Sequence, residues 1–86
     1  MAYSALIMKK TFTDKQGQYL AFIYYYSKIH GTSPSEADLQ QYFQVSPPSV
    51  HQMILTLERR GLIERTPGQA RSIHLLISRE ELPDLI

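Results

Sequence analysis

The sequence contains no cysteine, and its formal net charge is only +1. The absence of cysteine excludes disulfides, thiolate nucleophiles and every zinc site that needs sulfur ligands. No apolar run approaches the roughly 20 residues that cross a bilayer as a helix. The opening apolar stretch, residues 5–8, is too short for a signal peptide, and its lysines follow it instead of preceding it. We therefore expect a cytoplasmic protein without a membrane partner.

Sequence signatures of an enzyme are missing as well. The three histidines lie 21 and 23 residues apart, and there is no glycine-rich phosphate loop. No pair of carboxylates stands in an apolar setting. We expect no catalytic residue, no cofactor and no metal.

The chain has the material for one small folded domain. Its 86 residues suit a single domain, and 43% of them are hydrophobic. The basic excess is local, because residues 46–79 carry five arginines against two glutamates while residues 80–86 carry three acidic residues and no basic one. A basic segment inside a nearly neutral chain leaves nucleic-acid binding open.

Capping signals predict three helices. Thr13 and Gln16 have the spacing of a capping box, and Gly31 ends the first helix at about residues 14–30. Ser35 caps a short second helix that ends near Gln44. Residues 46–48, Ser-Pro-Pro, start a third helix that runs to about residue 60. The apolar residues predicted to face inward are Tyr19, Phe22, Ile23, Tyr26 and Ile29, then Leu39 and Phe43, then Val50, Met53, Ile54 and Leu57.

Two β-capable segments follow, residues 62–66 and 71–77, around a turn cluster at residues 67–70. The order predicts a mainly α domain with a small β-hairpin, a winged helix-turn-helix with three helices and a wing, over residues 12–77. Residues 1–11 form an N-terminal segment and a candidate dimer contact. Residues 78–86 form an acidic tail, either loose or docked, and the sequence allows both.

In such a fold the third helix enters the major groove of DNA, where base edges present a readable pattern of donors and acceptors. With its apolar residues turned inward, the helical period of about 100° per residue places a polar set on the opposite side. The Gln52 amide has the geometry to pair bidentately with adenine. The polar set is Ser49, His51, Gln52, Thr56 and Arg59.

The predicted hairpin adds Arg65 and Arg71 on either side of a small turn tip that contains Gln69, suited to phosphates or the minor groove. Polar helix faces and arginines on exposed strands also occur without any ligand. The alternative function is a winged-helix protein-interaction module. DNA binding requires the basic groups on the same side as Ser49 and Gln52, whereas a docking module would show an apolar patch there.

Several short motifs follow one another with unbroken spacing. They are Phe12-Thr13-x-Lys15-Gln16, Gly31-x-x-Pro34-Ser35-x-Ala37-Asp38-Leu39, Ser46-Pro47, Leu57-x-Arg59-Arg60-Gly61-Leu62-Ile63-Glu64 and Pro67-Gly68-Gln69-Ala70-Arg71-Ser72-Ile73-x-Leu75. With these motifs the chain resembles, over residues 12–77, the N-terminal DNA-binding domain of LexA-type repressors. The resemblance implies a winged helix-turn-helix that binds double-stranded DNA and represses transcription.

The resemblance also implies site residues. Operator contacts fall on Ser46 and on Pro48, Ser49, His51 and Gln52, and contacts to the DNA backbone fall near Ser35, Arg59 and the wing. Members of the family often have asparagine at Pro48 and acidic residues at His51 and Gln52, so we expect a different operator here. The two prolines also remove first-turn N–H groups, which leaves those of Ser49 and Val50 as the expected free donors.

LexA-type repressors continue into a self-cleaving domain that also dimerises. This sequence ends nine residues after the resemblance does, so we expect no self-cleavage. One module covers only half of a site, and tight specific binding would need a second copy or another partner. The candidate dimer surfaces are residues 3–8, the exposed members of Tyr24 to Tyr26, and residues 82–86. Of these tyrosines, we expect Tyr24 and Tyr25 to lie on the outside of the helix.

Overall fold

A computed structural model describes residues 12–86. Within that range three α-helices, α1 (Asp14–His30), α2 (Glu36–Phe43) and α3 (Pro47–Arg59), precede a two-stranded antiparallel hairpin. Its strands are β1 (Ile63–Glu64) and β2 (His74–Leu75), with Ile63 opposite Leu75 and Glu64 opposite His74. The predicted winged helix-turn-helix is confirmed. The candidate dimer contact at residues 1–11 lies outside the described range.

Side-chain caps explain where α1 and α2 begin. The hydroxyl oxygen of Thr13 accepts from the Gln16 backbone N–H at 3.1 Å, and the side-chain amide oxygen Oε1 of Gln16 accepts from the Thr13 backbone N–H at 3.0 Å. Ser35 and Asp38 form the same reciprocal pair at the start of α2. Each box satisfies two N–H groups that a helix start otherwise leaves unpaired.

The core lies where α1 packs against α2, α3 and the hairpin. The Tyr19 ring stacks on Phe43, with centroids 4.2 Å apart and planes within 4°. Val50, Ile54 and Leu57 are fully buried on the inner side of α3, as predicted. The other buried apolar residues are Leu20, Ala21, Ile23, Leu39, Leu62, Ile63 and Ile73.

One predicted core residue is wrong. Ile29 is 75% exposed. Ile29 follows Ile23 by six positions, which at about 100° per residue turns it roughly 120° away from the buried Ile23. The last turn of α1 therefore points this side chain into solvent.

The strands are much shorter than predicted, two residues each instead of five and seven. The Ser72 hydroxyl accepts from the Thr66 N–H at 3.0 Å and contacts the Gln69 carbonyl oxygen at 2.9 Å, so side-chain bonds replace ladder bonds here. Gly68 and Arg71 have positive φ angles of 79° and 55°, which are incompatible with a continuous strand. The wing, residues 62–77, is therefore mostly an ordered loop.

The acidic tail docks on the helices. Its 3-10 turn, Arg79–Glu81, leads to Leu82, which packs against the core. The side-chain amide of Gln18 donates through its nitrogen to the backbone carbonyl oxygen of Asp84 at 2.8 Å. Its oxygen accepts from the backbone N–H of Ile86 at 2.8 Å. Gly17 leaves room for this segment, because a Cβ at residue 17 would lie 3.0 Å from both Phe12 and Pro83. Leu82 and the backbone of Asp84 and Ile86 therefore contact other parts of the chain, whereas the Ile86 side chain is exposed.

Candidate nucleic-acid interface

The outer side of α3 presents the polar residues that the helical period predicted. Ser49, His51, Gln52 and Arg59 are exposed, and Thr56 is half-buried. The Thr56 hydroxyl donates to the Gln52 backbone carbonyl at 2.9 Å and accepts from Arg59 at 3.4 Å. No hydrogen bond to another part of residues 12–86 occupies the Gln52 side-chain amide. Both its donor and its acceptor are therefore available to a base edge.

The start of α3 is already satisfied internally. The Ser46 hydroxyl oxygen accepts from the Ser49 N–H at 3.3 Å, and the Ser46 carbonyl accepts from the Val50 N–H at 3.1 Å. The expectation that these two N–H groups are free for a phosphate is wrong, because the cap uses one and the first helical turn uses the other. The exposed hydroxyls of Ser46 and Ser49 lie 3.0 Å apart beside the exposed Pro48 ring.

A groove of about 540 Å³ runs between α1 and the outer side of α3. Lys15 and Tyr19 line it from α1, and Ser49, Gln52 and Thr56 line it from α3. Burial raises the pKa of the Tyr19 phenol, so that hydroxyl stays protonated. Lys15 adds a positive charge beside the polar residues of α3. The sequence motif that contains Lys15 did not indicate this position.

A second groove, of about 260 Å³, joins the start of α2 to the wing. Ser35 and Glu36 line one side, and Arg65, Gln69 and Arg71 line the other. Glu36 also reaches α3, since its carboxylate lies 3.3 Å from Nδ1 of His51. The outer side of α3, the start of α2 and the wing therefore form one continuous surface, which we call the α3–wing surface.

The wing arginines Arg65 and Arg71 form ion pairs with acidic side chains. Arg65 donates through Nε to Glu58 at 3.1 Å, and Arg71 donates through Nη1 to Asp38 at 2.9 Å. Gln69, by contrast, is exposed at the turn tip. No motif or spacing in the sequence indicated either acidic partner. Glu58 lies seven positions from Arg65 and Asp38 lies 33 positions from Arg71, so only the fold brings the second pair together.

The Asp38 carboxylate accepts hydrogen bonds from both the start of α2 and the wing. Its Oδ2 atom accepts from the Ser35 N–H at 2.9 Å. That backbone N–H, and after it the Ser35 hydroxyl, Arg71 and Tyr26, hold the pKa of Asp38 below its ordinary value against an opposing effect of partial burial. The ionised carboxylate therefore stabilises the folded chain.

This pKa predicts how stability depends on pH. The contribution of Asp38 is present above the ordinary carboxyl pKa of about 3.9 and is lost as the pH falls through the lower folded-state pKa. Urea denaturation between about pH 5 and pH 2 should show the free energy of unfolding falling more steeply for the parent than for Asp38→Asn. Asp84→Asn, which changes an exposed tail carboxylate, is the control and should follow the parent. Parallel curves for the parent and Asp38→Asn would contradict the assignment.

Two further observations concern residues 12–86. No group of three or more His, Asp or Glu side chains in that range is arranged to hold a metal ion. Across the same residues, none of the helices combines the length and apolar character that a membrane crossing requires.

The geometry defines a class of protein: a winged helix-turn-helix in which the polar side of the third helix, the start of the second and the hairpin tip share one surface. The chain belongs to the LexA DNA-binding domain family, whose model matches residues 8–72. It is 37% identical over 73 residues to the LexA repressor of Thermosipho melanesiensis, covering 85% of this chain and 37% of that protein. It is 39% identical over 67 residues to the LexA repressor of Thermosipho africanus, covering 78% of this chain and 34% of that protein.

These comparisons confirm the family that the sequence motifs indicated. The chain spans about a third of the length of the curated relatives it matches. The family model that it matches is that of the LexA DNA-binding domain.

Proposed function

We propose that this domain binds double-stranded DNA in a sequence-specific manner and represses transcription, with α3 in the major groove and the wing on phosphates or the minor groove. The observation that carries the proposal is the continuity of the α3–wing surface. His51 of α3 lies 3.3 Å from Glu36 at the start of α2, and one groove joins Glu36 to the wing. The DNA duplex presents groove edges and flanking phosphates together, which such a surface can contact at once.

Each proposed contact has a chemical role. Gln52 pairs with adenine, and Ser49 and His51 contact neighbouring bases or phosphates. Ser46 and Pro48 border the same bases at the start of α3. Phosphate contacts position the domain without reading sequence. The residues proposed to make them are Ser35, Thr56, Arg59, Arg65 and Gln69.

The docking-module alternative predicted an apolar patch beside Ser49 and Gln52. The exposed residues of α3 at this position are mainly polar. On this proposal the domain acts in the cytoplasm, where it would meet double-stranded DNA. We also propose that two copies bind a palindromic site, because one module buries only about 600–1,000 Å² on DNA.

A selection from random duplexes followed by a salt titration tests the proposal. The logarithm of the binding constant should fall linearly with the logarithm of salt concentration, with a slope near −0.9 for each phosphate neutralised. Arg59→Ala should reduce the size of this slope by about one unit. Arg79→Ala is the matched control, because it removes the same charge from the tail, where Arg79 lies 5.8 Å from the Tyr24 ring.

Two results would contradict the proposal. The first is a parent protein that shows no salt-dependent binding to any duplex. The second is an Arg59→Ala protein that keeps the parent's slope while Arg79→Ala loses it. A palindromic selected site and a doubled mass on DNA would support two copies, whereas a single half-site and a monomeric mass on DNA would exclude them.

A further inference from the structure

Four residues from four parts of the chain meet where the wing contacts the helices. Nη1 of Arg71 donates to Asp38 Oδ2 at 2.9 Å, to the Ser33 carbonyl oxygen at 3.1 Å and to the Tyr26 hydroxyl at 3.1 Å. Its guanidinium carbon lies 6.0 Å from the centroid of the Tyr26 ring. Tyr26 lies on α1, Asp38 lies on α2, and Ser33 lies between these helices. We call these four residues the Arg71 cluster.

The backbone of the wing is adapted to this arrangement. Arg71 has a φ of 55°, an unfavourable conformation for a residue with a side chain. Two residues later the Ile73 N–H donates to the Ser33 hydroxyl oxygen at 3.1 Å, and Ser33 is buried. The wing is therefore attached to the segment between α1 and α2 by both a side chain and its backbone.

The Arg71 cluster also sets the distance between two parts of the α3–wing surface. Asp38 Oδ2 accepts from Arg71 and from the Ser35 N–H at the start of α2. Ser35 lies across the 260 Å³ groove from Gln69 at the wing tip. A single carboxylate oxygen thus connects both sides of this groove.

We propose that Arg71 is a positioning residue, which fixes the wing relative to α2 so that Gln69 and α3 meet the duplex together, and that it does not act as a phosphate contact. The inference rests on the proposed function, because it concerns the same surface. A phosphate that recruited Arg71 would compete with three internal acceptors, of which Asp38 carries a full negative charge.

Measurements of duplex affinity and of its salt dependence distinguish a positioning role of Arg71 from a phosphate contact. Circular dichroism first establishes that each variant is folded. Arg71→Lys keeps the positive charge, but its ammonium ends one bond short of the Nη1 position. Arg71→Ala, Arg71→Lys and Asp38→Asn should each weaken binding about fivefold or more, with the parent's salt slope unchanged. The double variant Asp38→Asn/Arg71→Ala should bind no more weakly than the weaker single variant, because both changes break the same contact.

The phosphate role gives different results. Arg71→Lys would then bind like the parent, and Arg71→Ala would reduce the size of the salt slope by about one unit, as expected for Arg59→Ala. Either result would overturn the inference.

Hydrogen exchange tests the Arg71 cluster without DNA. The Ile73 amide should exchange about tenfold faster or more in Arg71→Ala than in the parent, while the buried Leu57 amide on α3 should keep its rate. An unchanged Ile73 rate would overturn the inference. A parent protein that binds no duplex would overturn the proposed function, and the exchange result would still decide whether Arg71 holds the wing.

Discussion

Ile54→Ala should lower the free energy of unfolding by about 2–5 kcal/mol, as expected when a fully buried isoleucine is truncated. Ile54 lies on the inner side of α3, against a core to which α1, α2 and the hairpin also contribute. The loss combines the transfer energy of the missing methyl groups with the cost of the cavity they leave. Urea denaturation with a common m-value measures it.

Gln52→Ala is the control for this experiment. It removes an exposed side chain from the same helix two residues away, so stability should stay within about 0.5 kcal/mol of the parent. Equal destabilisation by both variants would mean that the two sides of α3 do not divide into core and surface as described.

The same Gln52→Ala protein should lose specificity for DNA. The Gln52 amide is exposed and unoccupied by other described residues, so it is free to pair bidentately with one adenine. Its loss should reduce discrimination at one base pair by about 1–3 kcal/mol, or about 5- to 150-fold. Competition between the selected duplex and single-base variants of that duplex measures this quantity.

Gln41→Ala is the matched control for the DNA experiment, because it removes an exposed glutamine of the same size from α2. It should leave the base preference unchanged. If Gln52→Ala weakened binding equally to every duplex, Gln52 would be a phosphate contact and base recognition would belong to other residues of α3.

Local sequence signals predicted the helices well because the forces that start and end them act over a few residues. Thr13, Ser35 and Ser46 each cap the helix that was expected to begin there. The buried side of α3 followed from the spacing of its apolar residues, and the polar side then followed by geometry. The family motifs added the order of the elements.

Long-range contacts were beyond these signals. Arg71 and Asp38 are 33 positions apart, and Gln18 and Ile86 are 68 positions apart, so no local pattern relates either pair. The strand lengths were wrong because the Ser72 hydroxyl and the positive φ of Arg71 override β propensity within the wing. Ile29 was assigned to the core because the apolar spacing of three and four residues along α1 was extended into the last turn of the helix, where it no longer marks the buried side.

Gly17 shows how the docked tail restricts the choice of residue on α1. In an isolated helix alanine is favoured over glycine by about 1 kcal/mol. At this position the methyl group would have to displace Phe12 or Pro83, which approach α1 from the two ends of the described chain. The residue that best suits an isolated helix would here require small shifts of Phe12 and Pro83, so the packing of these two side chains, and not helix propensity alone, sets the tolerance at position 17.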